Sequence, residues 1–300
     1  MSLKNYIIKI FILFSHLFMI LITFKNVIED NIIHDNQNFR ILVFTCCDKL
    51  YSHYIPIFCD TILKADELKR IDIEIHLGNH SLSQNEEKAI DFIRKKYYYS
   101  KIKIIFNTFI KNSTGTFYKN NKVLSNSVRF LSQPTIRNKY VYITDIDIFF
   151  LEKNFYLYLI DDMIKRKSCY SNIVRKNSTK KRITGLHFIL YYKYYPVPKL
   201  DNYNINDEHL LYNIMKKKNI IIDYDTEFRP VFGIHASPNR PKVSSGKVIG
   251  WGAERYRQKW INYCKSEDFK NIYPLLDIYI KEKINRLNKF YGINITEIFN

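Results

Sequence analysis

Between residues 40 and 150, short runs of β-branched and aromatic residues alternate with amphipathic stretches, a pattern that predicts strands separated by helices. Arg40 to Thr45 reads as a first strand ending at Cys46-Cys47-Asp48. A helix through Pro56 to Lys64 follows, with proline near its start, where a missing N–H is tolerated. Ile71 to Leu77 alternates apolar and polar residues with period two and stops at Gly78-Asn79, so it reads as a second strand. Ser83-Gln84-Asn85-Glu86 forms a capping box that opens a helix towards Lys96. Lys101 to Phe106 is a third strand, followed by a polar loop with Gly115 and a helix around Val123 to Leu131. The chain then enters Tyr140 to Phe150, which reads as one buried strand delivering Asp145 and Asp147 at its C-terminal end.

The second half continues the alternation. A helix is expected from Phe155 to Lys167, a strand near Cys169 to Val174, and a polar, basic loop over Lys176 to Arg182. Gly185 to Tyr192 reads as a strand closed by Pro196 and Pro198. Asn206 can cap a helix from Asp207 to Lys218, whose first-turn acids suit the positive end of the helix dipole. Asn219 to Asp223 is expected as a short strand, Val231 to His235 leads into a loop of Ser, Pro and Gly, and Trp251 to Asn300 is expected to be largely helical. Strands alternating with helices predict an α/β fold with a largely parallel, doubly wound sheet.

The N-terminus departs from this pattern. Tyr6 to Phe24 is nearly all apolar, and about 19 residues at 1.5 Å each reach roughly 28 Å, enough for a spanning helix. Lys4 and Lys9 precede the apolar centre and Glu29 and Asp30 follow it, which puts the N-terminus on the cytoplasmic side of the membrane. Residues 1–38 then read as cytoplasmic tail, membrane anchor and short stem, and residues 39–300 as the globular domain; the competing reading is a cleaved signal peptide and a secreted product.

Composition adds three constraints. With 46% hydrophobic residues in 300, the chain can bury a real core. Its formal net charge of +18 would suit nucleic acid, an anionic membrane surface or a phosphate-bearing substrate. The cations are spread along the chain, with short clusters only at Lys180-Lys181-Arg182 and Lys216-Lys217-Lys218, so nucleic-acid binding is not the favoured reading. Cys46, Cys47, Cys59, Cys169 and Cys264 contain no C-x-x-C pair and no zinc-type spacing with histidine.

The two acids need an explanation, because a buried carboxylate without a partner costs several kcal/mol, roughly. They are exposed at the strand end or neutralised by a cation, and Asp-x-Asp at the carboxyl edge of an α/β sheet suits a metal–nucleotide site. A turn-forming aspartate is the plainer reading.

From Arg40 to Pro241 the order of elements resembles the GT-A (Rossmann-like) glycosyltransferases, and most the family-8 type. Phe44-Thr45-Cys46-Cys47-Asp48 with Tyr54 resembles the first strand and nucleotide-binding loop of that family, and Val128-Arg129-Phe130 stands where it has an arginine before Asp-x-Asp. Asp145 and Asp147 match its metal pair. Asp207-Glu208-His209-x-Leu211 resembles its Asp-Gln-Asp-x-Leu segment, and His235-x-x-x-x-Arg240-Pro241 its His…Lys-Pro ending. Thr184-Gly185 replaces the family's Asn-Ser-Gly.

The resemblance implies a mostly parallel sheet flanked by helices and a metal-dependent transferase moving a sugar from a nucleotide diphosphate sugar, a UDP-sugar, to a glycan or protein-linked hydroxyl acceptor. It implies a cation held by Asp145, Asp147 and His235; this donor set suits Mn²⁺, with Mg²⁺ as the second choice. Thr45, Asp48, Arg129, Asp145 and Arg240 would contact the donor, and Asp207 or Glu208 would be the catalytic carboxylate, as base, as nucleophile or as stabiliser of the sugar cation. Each has an ordinary structural use as well: cap, surface cation or helix-terminal acid. The rivals are a glycosyltransferase-like protein that only binds a glycan or partner, and a metal-dependent phosphotransferase.

Overall fold

The computed structural model of the chain describes residues 39–172, 182–220, 222, 232–236, 254–294 and 298. The anchor segment Tyr6 to Phe24 and most of the basic loop Lys176 to Arg182 lie outside them. Strand β1 (Ile41–Cys47) is followed by helices α1 (Lys49–Ser52) and α2 (Ile55–Ala65), strand β2 (Ile71–Leu77), helix α3 (Gln84–Lys96) and strand β3 (Ile102–Ile105). The capping box is present: Ser83 Oγ accepts from Glu86 N–H, and Glu86 Oε2 accepts from Ser83 N–H at 2.7 Å.

The expected polar loop after β3 is instead a small antiparallel sheet of β4 (Ile110–Asn112), β5 (Gly115–Tyr118) and β6 (Asn121–Val123). Gly115, at φ 137°, takes a turn position that would strain any residue with a Cβ. The expected helix over 123–131 shortens to a 3₁₀ turn, Ser125–Ser127, and α4 (Val128–Leu131).

The run from Tyr140 to Phe150 is not one strand. It divides into β7 (Tyr140–Ile143) and β8 (Ile148–Phe150), with Asp145 and Asp147 in the turn between them. Next come α5 (Tyr156–Lys165), β9 (Tyr170–Ser171), β10 (His187–Leu190), α6 (Tyr191–Tyr194), α7 (Asp207–Lys217), β11 (Gly233–His235), α8 (Arg257–Cys264), α9 (Glu267–Ile272) and α10 (Ile278–Tyr291). No strand forms at the described residues of 219–223. Among the described residues, no helix is long and apolar enough to cross a membrane.

The fold is mixed α/β with a mostly parallel central sheet, ordered β3-β2-β1-β7-β10-β9. The pairs β3–β2, β2–β1 and β1–β7 are parallel, whereas β10 runs antiparallel to both β7 and β9. One core lies on the face carrying Leu42, Phe44, Val141, Ile143 and Ile189, which meet Val128 and Phe130 of α4 and Leu210, Leu211 and Ile214 of α7. The alternation in β2 would suit a half-solvated strand, yet its polar side chains are buried as well. Asp72 takes the Arg40 guanidinium at 2.8 Å and the Lys101 N–H at 2.8 Å, while Glu74 accepts from Thr135 and Ile136 N–H at 2.8 and 2.9 Å.

The C-terminal helices form a further layer. Trp260 of α8 stacks on Phe149 with ring centroids 5.3 Å apart, and its indole N–H donates to Asn288 of α10 at 2.7 Å. Tyr263 of α8 donates its hydroxyl to Asp60 of α2 at 2.7 Å.

Candidate functional site

Strand β1 has β2 on one side and β7 on the other, so successive connections leave it in opposite directions. Ligands of open α/β sheets bind outside the carboxyl ends of strands at such a switch point. Register pairs Phe44 with Ile143, which brings the ends of β1 and β7 together: Asp48 follows one and Asp145 and Asp147 follow the other.

A second pairing brings the histidine in. Strand β11 lies antiparallel to β8 with His235 opposite Ile148, and Ala236 N–H donates to the Asp147 carbonyl at 2.8 Å. A Cβ on Gly233 would lie 1.8 Å from the Phe149 carbonyl oxygen, so the close pairing admits only glycine there. His235 Nε2 stands 2.9 Å from Asp147 Oδ1 and 3.9 Å from Asp145 Oδ2. One ligand atom from each of the three residues falls within 4.8 Å of the others, an arrangement formed by no other His, Cys, Asp and Glu group among the described residues.

Arg129 of α4 is buried behind this cluster, its Nη2 2.9 Å from Asp145 Oδ1 and 3.1 Å from Asp207 Oδ2. Burial works against its charge, but Asp145, Asp207 and Asp147 together outweigh burial and raise its pKa. Its Nε is buried without a hydrogen-bond partner. A Cβ on Gly185 would approach Nη2 to 2.6 Å, so that glycine makes room for the guanidinium. Tyr51 feels the acids too: burial, then Asp147, Asp48 and Asp145, push its hydroxyl up to about 12. Among the described residues, Asp145, Asp147 and Asp207 thus stand against one guanidinium and one imidazole. Two carboxylates and an imidazole converging under excess negative charge fit a divalent cation.

The other expected site residues take up more varied positions. Asp48 caps α1, accepting from Leu50 N–H at 3.2 Å, and its other oxygen pairs with Lys111 of β4. Thr45 is buried in β1, its hydroxyl without a partner. Asn206 caps α7 through Glu208 N–H at 3.0 Å, Asp207 turns to Arg129, and Glu208 faces Arg182 Nη1 at 3.6 Å. Arg240 lies outside the described residues. Sequence reasoning missed Lys111, although Asn112-Ser113-Thr114-Gly115 is a turn signal that marks its hairpin.

No family model matches the chain, and no curated protein matches it. Among solved structures it is similar to the galactosyltransferase LgtC in complex with donor and acceptor sugar analogs, at 12% identity over 73% of this chain and 94% of that one, with a TM-score of 0.40. It is similar to the mannosyltransferase PcManGT from Pyrobaculum calidifontis in complex with GDP-Man and Mn²⁺, at 12% identity over 84% and 74%, with a TM-score of 0.44. S. aureus TarS matches at 11% identity over 84% and 72%, with a TM-score of 0.38.

Proposed function

We propose that this protein is a metal-dependent glycosyltransferase of the GT-A type, which moves a sugar from a nucleotide diphosphate sugar, a UDP-sugar, to a hydroxyl acceptor. The observation that carries the reading is the convergence of Asp145, Asp147 and His235 at the switch point beside β1. These three residues would hold the cation, Mn²⁺ by their mixed oxygen and nitrogen donors. When bound, it supplies Lewis-acid stabilisation of the charge on the departing diphosphate. Arg129 fixes the Asp145 carboxylate from behind and adds a buried positive charge. Asp48, one residue beyond β1, accepts from ribose hydroxyls when Lys111 yields it. Asp207 is held by Arg129, so its part is to orient that guanidinium; Glu208 is then the carboxylate for work at the sugar or the acceptor hydroxyl.

Calorimetry of the full chain with UDP, with and without Mn²⁺, tests this reading beside the Asp145→Asn, Asp147→Asn variant. UDP binding that needs Mn²⁺ and vanishes in the variant is expected. Absence of UDP binding by the folded wild-type protein in both conditions would sink the donor assignment. Residues 1–38 enter the same reading as tail, membrane anchor and stem. Release of the full chain from membranes by carbonate would overturn that part.

A further inference from the structure

Helix α10 buries Ile280, Ile284, Leu287, Asn288 and Tyr291. Tyr279, Lys283 and Arg286 follow the i, i+4, i+7 spacing and share the adjoining stripe of the helix. That stripe begins beside the acid cluster. The Tyr279 ring meets Tyr54 edge-on, with centroids 6.4 Å apart, and Tyr54 donates its hydroxyl to the Ala236 carbonyl at 2.8 Å. Ala236 in turn is hydrogen-bonded to Asp147. Lys283 Nζ stands 5.6 Å over the Tyr279 ring. Burial raises the Tyr279 pKa; a hydrogen bond with Tyr54 opposes this, Asp147 adds to it and Arg286 opposes it, so the ring lies within reach of both the acids and the cations.

Lys283 and Arg286 form no ion pair among the described residues. Other cations at the C-terminal helices do: Lys64 of α2 and Lys96 of α3 share Asp268 of α9, and Lys259 of α8 pairs with Glu152. Glu282, the neighbour of Lys283 in sequence, makes no ion pair with either cation, and Asp277 caps the helix through Tyr279 N–H at 2.8 Å and faces His53 at 3.8 Å. Burial, and then the charge of Arg286, lower the pKa of Lys283, and the charge of Glu282 offsets part of this. Two cations three positions apart on one helix, with no ion pair among the described residues, repel each other, and an anion between them relieves that cost.

We propose that Lys283 and Arg286, with Tyr279 supporting the ammonium, bind a phosphate-class anion of a substrate beside the Asp145, Asp147 and His235 cluster. The proposal deepens the transferase reading and rests on it for the word substrate. A planar guanidinium fork takes two oxygens of such a group and the ammonium a third. The anion belongs either to the diphosphate of the donor or to a phosphorylated acceptor.

Inorganic phosphate, titrated onto the full chain and followed by phosphorus NMR, tests the site without any assumption about the nucleotide. Binding is expected to weaken about tenfold or more in Lys283→Gln, Arg286→Gln, as expected for two lost charge-assisted contacts. It should survive in Lys283→Arg, Arg286→Lys and in Asp145→Asn, Asp147→Asn. Unchanged phosphate affinity in the Gln variant, or no binding to the wild type, overturns the proposal. Wild-type protein saturated with Mn²⁺ and UDP separates the sources: displacement of phosphate assigns the stripe to the donor, and simultaneous binding assigns it to the acceptor. Failure of UDP to bind while phosphate still depends on Lys283 and Arg286 would overturn the transferase reading and leave the anion site standing.

Discussion

Asp60 offers a direct measurement of how the C-terminal helices are fastened to the sheet. It is fully buried on α2 and accepts hydroxyls from Tyr263 at 2.7 Å and Tyr97 at 3.3 Å. Burial pushes its pKa from the ordinary 3.8 up to about 6, with the Tyr263 hydrogen bond pulling the other way. Because the folded value lies above the unfolded one, this carboxyl's contribution to stability is fully present below pH 3.8 and is lost as pH rises through about 6. A difference of about two, at about 1.4 kcal/mol each, makes the loss about 3 kcal/mol. Asp60→Asn removes the titration while keeping a carbonyl for Tyr263 and an N–H₂ donor towards the Tyr97 oxygen. Urea unfolding of wild type and variant across a pH series isolates the effect, since other titrating groups cancel in the difference. At about pH 4 the variant should match the wild type to about 1 kcal/mol, and by about pH 8 it should be more stable by about 2–3 kcal/mol. A difference that does not change with pH would refute the reasoning, because the carboxylate would then ionise as readily folded as unfolded.

Substitutions at three further positions probe the site. Arg129→Met leaves Asp145 and Asp207 without their shared cation and should cost about 3 kcal/mol in urea unfolding, with Arg129→Lys recovering part of it; a Met variant as stable as wild type would show that the acids need no partner. Gly233→Ala drives a Cβ into the Phe149 carbonyl and should part β11 from β8, lowering stability by about 3 kcal/mol and withdrawing His235, so that Mn²⁺ binding by calorimetry is lost; wild-type stability and Mn²⁺ affinity would exclude the close pairing. Gly185→Ala pushes on Arg129 Nη2, the far end of a side chain, and should cost only about 1–2 kcal/mol; retention of full stability would mean that the guanidinium has room to move.

The range of the forces involved decides how much of the fold is legible in the chain. The capping box at Ser83, the Asn206 cap and the strands β1, β2 and β3 rest on neighbours a few residues apart, and their patterns survive in the sequence. The break between β7 and β8 leaves little such trace, because the strand and most of the turn are buried and the apolar run continues through Ile146. Only the turn preference of the two aspartates marks it. The reversal of β10 is also hidden, since a short buried strand has the same composition in either direction.

The site divides in the same way, and the division bears on its chemistry. Three of its acids come from the carboxyl ends of two adjacent strands, where the sheet's own register sets them: Asp48 after β1, Asp145 and Asp147 after β7. Among the described residues, the lysine and the arginine that meet them come from the insertion between β3 and β7. Lys111 pairs with Asp48 across 63 residues, and Arg129 with Asp207 across 78, distances over which no periodicity reaches. Most of the negative charge beside the switch point is thus a property of the sheet, and its pairing with Lys111 and Arg129 a property of the insertion. Changes confined to residues 108–131 can therefore alter how strongly the acids attract a cation without disturbing the sheet that presents them.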